Sequence, residues 1–128
     1  MTIPKKKLSD GELEVMLAVW DAGRPITGSE ILQQIRQKRT WALSTLMTVL
    51  TRLVEKGYLA CDRSTRNNLY SPLVAEEEYK EEESRSFLHR MYGNSLPSLI
   101  SCLYKSGAIG DKDLEELQDF LDQAQKEE

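Results

Sequence analysis

Two stretches near the N-terminus carry the same local device, and that device dictates where helices begin. In Leu8-Ser9-Asp10-Gly11-Glu12-Leu13, Ser9 stands as N-cap with Glu12 three residues on. This is a capping box, in which each side chain takes the other residue's backbone N–H. Leu8 and Leu13 flank it at the positions of a hydrophobic staple. Ile26-Thr27-Gly28-Ser29-Glu30-Ile31 repeats the arrangement with Thr27 and Glu30 as the box. Ile109-Gly110-Asp111-Lys112-Asp113-Leu114 is a third, weaker case with Gly110 as cap.

Apolar stripes follow each start. Leu13, Met16, Leu17 and Trp20 recur at helical spacing, and Gly23 and Pro25 close that helix. A second helix carries Ile31, Leu32 and Ile35 and is expected to end near Arg39. After Thr40-Trp41-Ala42-Leu43, a third buries Leu46, Val49, Leu50 and Leu53 and stops at Gly57. The period then changes. Tyr58–Arg63 and Leu69–Leu73 are short extended runs around the turn-former cluster Ser64-Thr65-Arg66-Asn67-Asn68, a β-hairpin with a basic tip. Helix, helix, helix, hairpin is the order of a winged helix-turn-helix domain, and Pro25-Ile26-Thr27 can add a third strand.

Beyond Pro72 the composition shifts. Residues 1–73 hold 11 Lys/Arg against 7 Asp/Glu, a net +4, whereas residues 74–128 hold 6 against 14, a net −8. A basic half joined to an acidic half suits a polyanion partner for the first and another task for the second. The second half reads as three helices. A long one over 75–92 opens on Glu76-Glu77-Glu78 and gathers its apolar residues late, in Phe87, Leu88, Met91 and Tyr92. Another carries Leu96, Leu99, Ile100, Leu103 and Tyr104, and the last Leu114, Leu117, Phe120 and Leu121. Three short amphipathic helices make a poor core alone, so a two-fold dimer is the economical solution. The expected fold is mainly α with a small β-wing: a winged-helix domain over 1–73 and a helical dimerisation domain over 74–128. Its interface is expected to comprise Phe87, Leu88, Met91, Leu96, Leu99, Ile100, Leu103, Leu114, Leu117 and Leu121. The competing arrangement folds these helices back on the first domain.

On a helical wheel the third helix turns Ser44, Thr48 and Thr51 away from its core stripe, with Thr45 and Arg52 on one flank and Met47 on the other. A face of Ser, Thr and Arg suits a DNA major groove. Hydroxyls bond base edges or phosphates, a Thr methyl meets the thymine methyl, and Arg takes guanine or phosphate. Arg63 and Arg66 at the hairpin tip are candidate phosphate or minor-groove contacts. Lys5, Lys6, Lys7, Arg36, Lys38 and Arg39 can add salt-sensitive phosphate contacts. Trp41 either packs the turn between the second and third helices or gives its indole N–H to a phosphate.

Other classes find less support. No apolar run reaches membrane-spanning length, and no signal-peptide core follows Lys5-Lys6-Lys7, so the expected setting is cytoplasmic without membrane insertion. Cys61 and Cys102 lie outside metal-ligand spacing. No phosphate loop or nucleophile constellation accompanies the single histidine, His89, so neither catalysis nor a cofactor or metal is expected. Two rivals are a winged helix that binds protein and not DNA, towards which Met47 leans, and a redox-sensing DNA-binding regulator using Cys102.

The run WALSTLMTVLTRLVEKG at 41–57 resembles the penicillinase-repressor family, the BlaI/MecI/CopY group of bacterial repressors. LSDGELEVMLAVW at 8–20, YSPLV at 70–74 and SLPSLISCLYKSGAIGDKDLEELQDFL at 95–121 carry the same resemblance, in order, over nearly the whole chain. It implies a winged-helix homodimer that represses genes, among them antibiotic-resistance genes, at a double-stranded palindromic operator, commonly with TACA/TGTA half-sites. It places Ser44, Thr45, Thr48 and Arg52 on the recognition helix and Arg63 and Arg66 on the wing. In β-lactam-sensing members it also implies a membrane-bound sensor protease whose action leads to cleavage in the C-terminal domain. The chain departs from the family at three points. Cys102 and Leu103 stand at the cleavage position where well-known members have Asn-Phe. Ser44 and Met47 stand where several members carry a basic residue. No cysteine-rich tail follows Cys102.

Overall fold

A computed structural model describes residues 7–127, so Lys5 and Lys6 lie outside the described residues. Helix α1 spans Asp10–Ala22. Its box closes as the sequence requires: Ser9 Oγ accepts the Glu12 N–H at 3.3 Å, and Glu12 Oε1 accepts the Ser9 N–H at 2.8 Å. Gly23, at φ 64°, ends the helix in the left-handed region that glycine enters without steric cost. Strand β1 (Ile26–Thr27) leads directly into α2 (Gly28–Ile35), where Thr27 and Glu30 close the second box. The Arg24 guanidinium, with Thr27 behind it, holds the Glu30 carboxyl down to about 2.

Helix α2 ends four residues before the expected Arg39. The Ile35 carbonyl accepts from both Lys38 and Arg39 N–H at 2.9 Å, turning the chain tightly at that point. Helix α3 runs Leu43–Glu55. Strands β2 (Leu59–Asp62) and β3 (Leu69–Pro72) form the hairpin, and β1 joins it to give an antiparallel sheet in the order β1-β3-β2. Tyr70 sits opposite Ile26 on one side and Cys61 on the other.

The core is shared by all of these elements. Val15, Met16 and Val19 of α1 meet Ile31 and Ile35 of α2, Leu46, Leu50 and Leu53 of α3, and Tyr58, Leu59 and Tyr70 around the sheet. The buried stripe of α1 is rotated from the expected one. Val15, Met16, Ala18 and Val19 are inside, whereas Leu17 is 36% exposed and Leu13 and Trp20 are half-buried. Glu12 completes the stripe as the one buried charged residue among those described. It is tolerated because its carboxylate also accepts from Lys56 Nζ at 2.7 Å, tying the start of α1 to the end of α3.

Helix α4 spans Glu76–Tyr92. The chain divides into two compact units between Glu81 and Glu82, eight residues beyond the boundary at 73/74 expected from composition. The extension has visible anchors. Val74 and Tyr79 are buried in the first core, Trp20 Nε1 donates to the Val74 carbonyl at 2.9 Å, and the Tyr79 ring packs edge-on to Tyr58 at 5.9 Å. An acidic composition hid two apolar residues that belong to the first unit.

The second unit holds the rest of α4, then α5 (Leu96–Lys105) and α6 (Asp111–Lys126). Ser95 caps α5, and Asp113 takes the Gly110 N–H at 2.8 Å to start α6. Tyr104 donates to Asp111 at 2.7 Å and ties the two helices. Neither α5 nor α6 has a buried residue.

Candidate nucleic-acid interface

The first unit packs α3 against α1 and α2 and backs it with the core. Leu46, Val49, Leu50 and Leu53 point inward, so Ser44, Thr45, Thr48, Thr51 and Arg52 are all exposed, as the wheel requires. Two of these hydroxyls are turned inward at one atom. Thr48 Oγ1 donates to the Ser44 carbonyl at 3.1 Å, and Thr51 Oγ1 to the Met47 carbonyl at 2.9 Å. Each hydroxyl has spent its single proton on the helix and offers only acceptor lone pairs outward. Such a group matches base-edge donors, the amino groups of adenine and cytosine in the major groove.

The start of α3 differs from those of α1 and α2. Ala42 is its N-cap and supplies no side-chain bond; the Ala42 carbonyl takes the N–H groups of Thr45 and Leu46 at 3.1 and 3.2 Å. The first backbone N–H groups, at the positive end of the helix dipole, therefore face outward without a protein cap. An oxyanion such as a phosphate satisfies them.

Trp41 is held in the turn before α3. Its ring lies so close to α1 that a Cβ added at Gly11 would stand 3.0 Å from Cζ2 and 3.1 Å from Cη2. Arg39 lies over the ring, its guanidinium carbon 5.7 Å from the centroid, and its Nε donates to Glu14 of α1 at 2.7 Å. The packing role weighed from the sequence is thus visible, with Gly11 as the residue that makes room. Sequence reasoning had no signal for Gly11 beyond its place inside the capping box.

The hairpin tip is shaped by its first residue. Asp62 Oδ1 accepts both the N–H of Ser64 at 2.9 Å and its hydroxyl at 2.6 Å, and these bonds hold the Asp62 carboxyl below its ordinary value. Thr65 closes the other side through the Asn67 carbonyl. Arg63 and Arg66 are exposed on this tip. Burial and the neighbouring Cys61 push the Tyr70 hydroxyl up from its usual range, so Tyr70 is a neutral anchor of the wing.

A cleft of about 610 Å³ opens among Glu14, Leu17, Asp21, Lys38 and Glu76. Arg39 engages Glu14 there, and Lys80 engages Glu76. His89 is exposed and faces Asn94, with 3.3 Å between the two side chains. Among the described residues no three metal-ligating side chains are gathered together. No described helix is long and apolar enough to cross a membrane.

In the second unit the expected interface residues divide in two. Leu88, Leu99, Ile100, Leu103, Leu114 and Leu117 are half-buried, and Phe87, Met91, Leu96 and Leu121 are exposed. Phe120 at 65% and Met91 at 59% are the most exposed large apolar side chains. Cys102 is exposed as well, and Leu103 is half-buried beside it on α5.

Residues 8–123 match the family of penicillinase repressors. The chain belongs to that family. It is 32% identical to the penicillinase repressor of Bacillus licheniformis over 117 residues, 91% of either chain. Among solved structures it is similar to the DNA-binding domain of the repressor BlaI, with 35% identity and a TM-score of 0.52, covering 61% of this chain and 92% of that one. It is likewise similar to the monomeric form of Bacillus licheniformis BlaI solved in complex with the blaP half-operator. There the identity is 34% and the TM-score 0.50, covering 58% of this chain and 89% of that one. The helices and three-stranded sheet of the first unit are therefore a winged helix.

Proposed function

We propose that this member of the family is a transcriptional repressor that binds a palindromic operator as a homodimer, each copy placing α3 in the major groove and the wing on the flanking backbone. The observation that carries the reading is the outward face of α3. It is polar, acid-free until Glu55, rich in acceptor hydroxyls, and preceded by an uncapped helix start. In this reading Ser44, Thr45, Thr48, Thr51 and Arg52 meet base edges and phosphates, and Arg63 and Arg66 meet phosphates from the wing. Trp41 keeps its packing role and lends its indole N–H to a phosphate. The relative solved on a half-operator supports this use of the domain.

Dimerisation rests on a separate observation. Among the described residues the unit after Glu81 has no fully buried side chain, yet it presents Phe87, Met91, Leu96, Phe120 and Leu121 to the surface. Helices of that length gain little from folding alone. A second copy laid against these side chains supplies the missing core and joins two winged helices into one two-fold reader. A cut between Cys102 and Leu103 would fall in the last turn of α5 and separate α6 from the rest. Two half-site contacts then lose their linkage, and repression is relieved. A membrane-bound sensor protease is the partner this mode of relief calls for, and the cytoplasm is where it would act.

The test is fluorescence-anisotropy titration of a labelled TACA/TGTA palindrome and a scrambled duplex at several salt concentrations. Selective binding of two copies per palindrome, weakening steeply with salt, is expected. Equal weak binding to both duplexes, with no preferred site recovered from a random pool, would favour the protein-binding winged helix instead.

A further inference from the structure

We propose that Leu43 and Met47 read the C5-methyl groups of thymines in the major groove, so that the operator this chain selects is set in part by apolar contact. The inference rests on the DNA-binding reading above and names the base feature that one flank of α3 recognises.

Leu43 is the first residue of α3, and 51% of it is exposed; Met47, one turn on, is 38% exposed, and Val54 is 37% exposed further along. At 100° per residue the three fall within about 40° of one another, as one stripe beside the core. Single exposed apolar residues are ordinary. A stripe along the helix whose neighbouring face carries Ser44, Thr48 and Thr51 is not scattered. Met47 is also steadied at its tip, since its sulfur lies against the start of α2, 3.9 Å from where a Cβ on Gly28 would stand. Thr51 turns its proton inward to the Met47 carbonyl, which keeps the donor out of this stripe.

The major groove offers one apolar feature to such a surface, the thymine methyl. From Leu43 to Met47 the helix rises about 6 Å, close to two base-pair steps at about 3.4 Å each. The pair therefore suits next-but-one thymines of a half-site. A protein partner could cover the same stripe. The arginines Arg52, Arg63 and Arg66 and the uncapped helix start on the same unit favour a polyanion.

The experiment first selects the preferred duplex of the full-length protein from a random pool, then replaces each thymine in turn by deoxyuridine, which removes only the methyl group. Affinity is expected to fall about fourfold at one or two thymines per half-site, the factor that burying one such group corresponds to. With Leu43→Ala or Met47→Ala, that fall at the matching thymine should vanish, because the methyl has lost its partner. Uracil duplexes that all bind like the thymine parent would overturn the proposal while leaving DNA binding intact. Affinity unchanged in both alanine variants would overturn it too and assign the stripe to a protein partner. Failure to enrich any duplex would remove the DNA-binding reading itself, and this proposal with it.

Discussion

Gly11→Ala is a substitution whose usual sign this structure reverses. Gly11 lies in the first turn of α1 and is not among the glycines at positive φ. In an open helix its replacement by alanine would stabilise by about 0.5–1 kcal/mol. Here the new Cβ would meet the Trp41 ring at 3.0–3.1 Å, closer than carbon atoms settle. The ring has little room to retreat, because Arg39 covers it and is itself bound to Glu14 at 2.7 Å. Overpacking of this kind costs about 1–3 kcal/mol. The balance is a net loss of up to about 2.5 kcal/mol, together with a displaced turn before α3. Urea denaturation followed by tryptophan fluorescence measures it directly, since both tryptophans, Trp20 and Trp41, lie in the first unit. Operator affinity should fall several-fold in parallel, because Trp41 precedes the N-terminus of α3. A variant more stable than the parent, with unchanged indole spectra, would refute the close-packed turn.

Three other outcomes are expected. Burial pushes the Glu12 carboxyl up, but the Lys56 ammonium and the Ser9 N–H outweigh it and hold it below 4.5. The ionised form is therefore favoured by the fold, and its stabilisation is complete above about pH 4.5 and drains away as the pH falls towards the lowered value. Glu12→Gln should cost about 1–3 kcal/mol at neutral pH and less at acid pH; a difference from the parent that stays constant with pH would contradict this. A fragment ending at Glu81 should unfold cooperatively as a monomer, whereas one ending at Pro72 lacks Val74 and Tyr79 and should be about 3 kcal/mol or more less stable; equal denaturation midpoints would show that the first unit ends sooner. Replacing Arg63 and Arg66 by alanine should weaken binding to all duplexes alike and reduce the salt dependence by about two phosphate contacts, and an unchanged slope would take the wing off the backbone.

Much of the first unit is legible in the residues because its signals are local. Ser9/Glu12 and Thr27/Glu30 announce helix starts through bonds three residues apart, and the bonds form as written. The outward face of α3 is equally legible, because Leu46, Val49, Leu50 and Leu53 leave only one orientation for the helix. α1 is harder to orient. Its apolar residues nearly encircle it, so Leu13/Met16/Leu17/Trp20 and Val15/Met16/Val19 both fit a helical period, and only packing against α2 and α3 chooses between them. Composition misplaced the division between units because Tyr79 is surrounded in sequence by glutamates, while its contacts with Tyr58 and Trp20 come from residues at least twenty positions away. Three features of the site could not be read from spacing at all: the inward turn of the Thr48 and Thr51 protons, the missing cap at Ala42, and the closeness of Gly11 to Trp41.

The central claim is that the unit after Glu81 couples two winged helices on one operator. Its most direct test is the affinity of the full-length protein for the selected palindrome against a duplex holding a single half-site, at fixed salt. Coupling through a dimer predicts a palindrome bound about 100-fold or more tighter, an advantage lost in the fragment ending at Glu81. Equal affinity for palindrome and half-site in the full-length protein would contradict it.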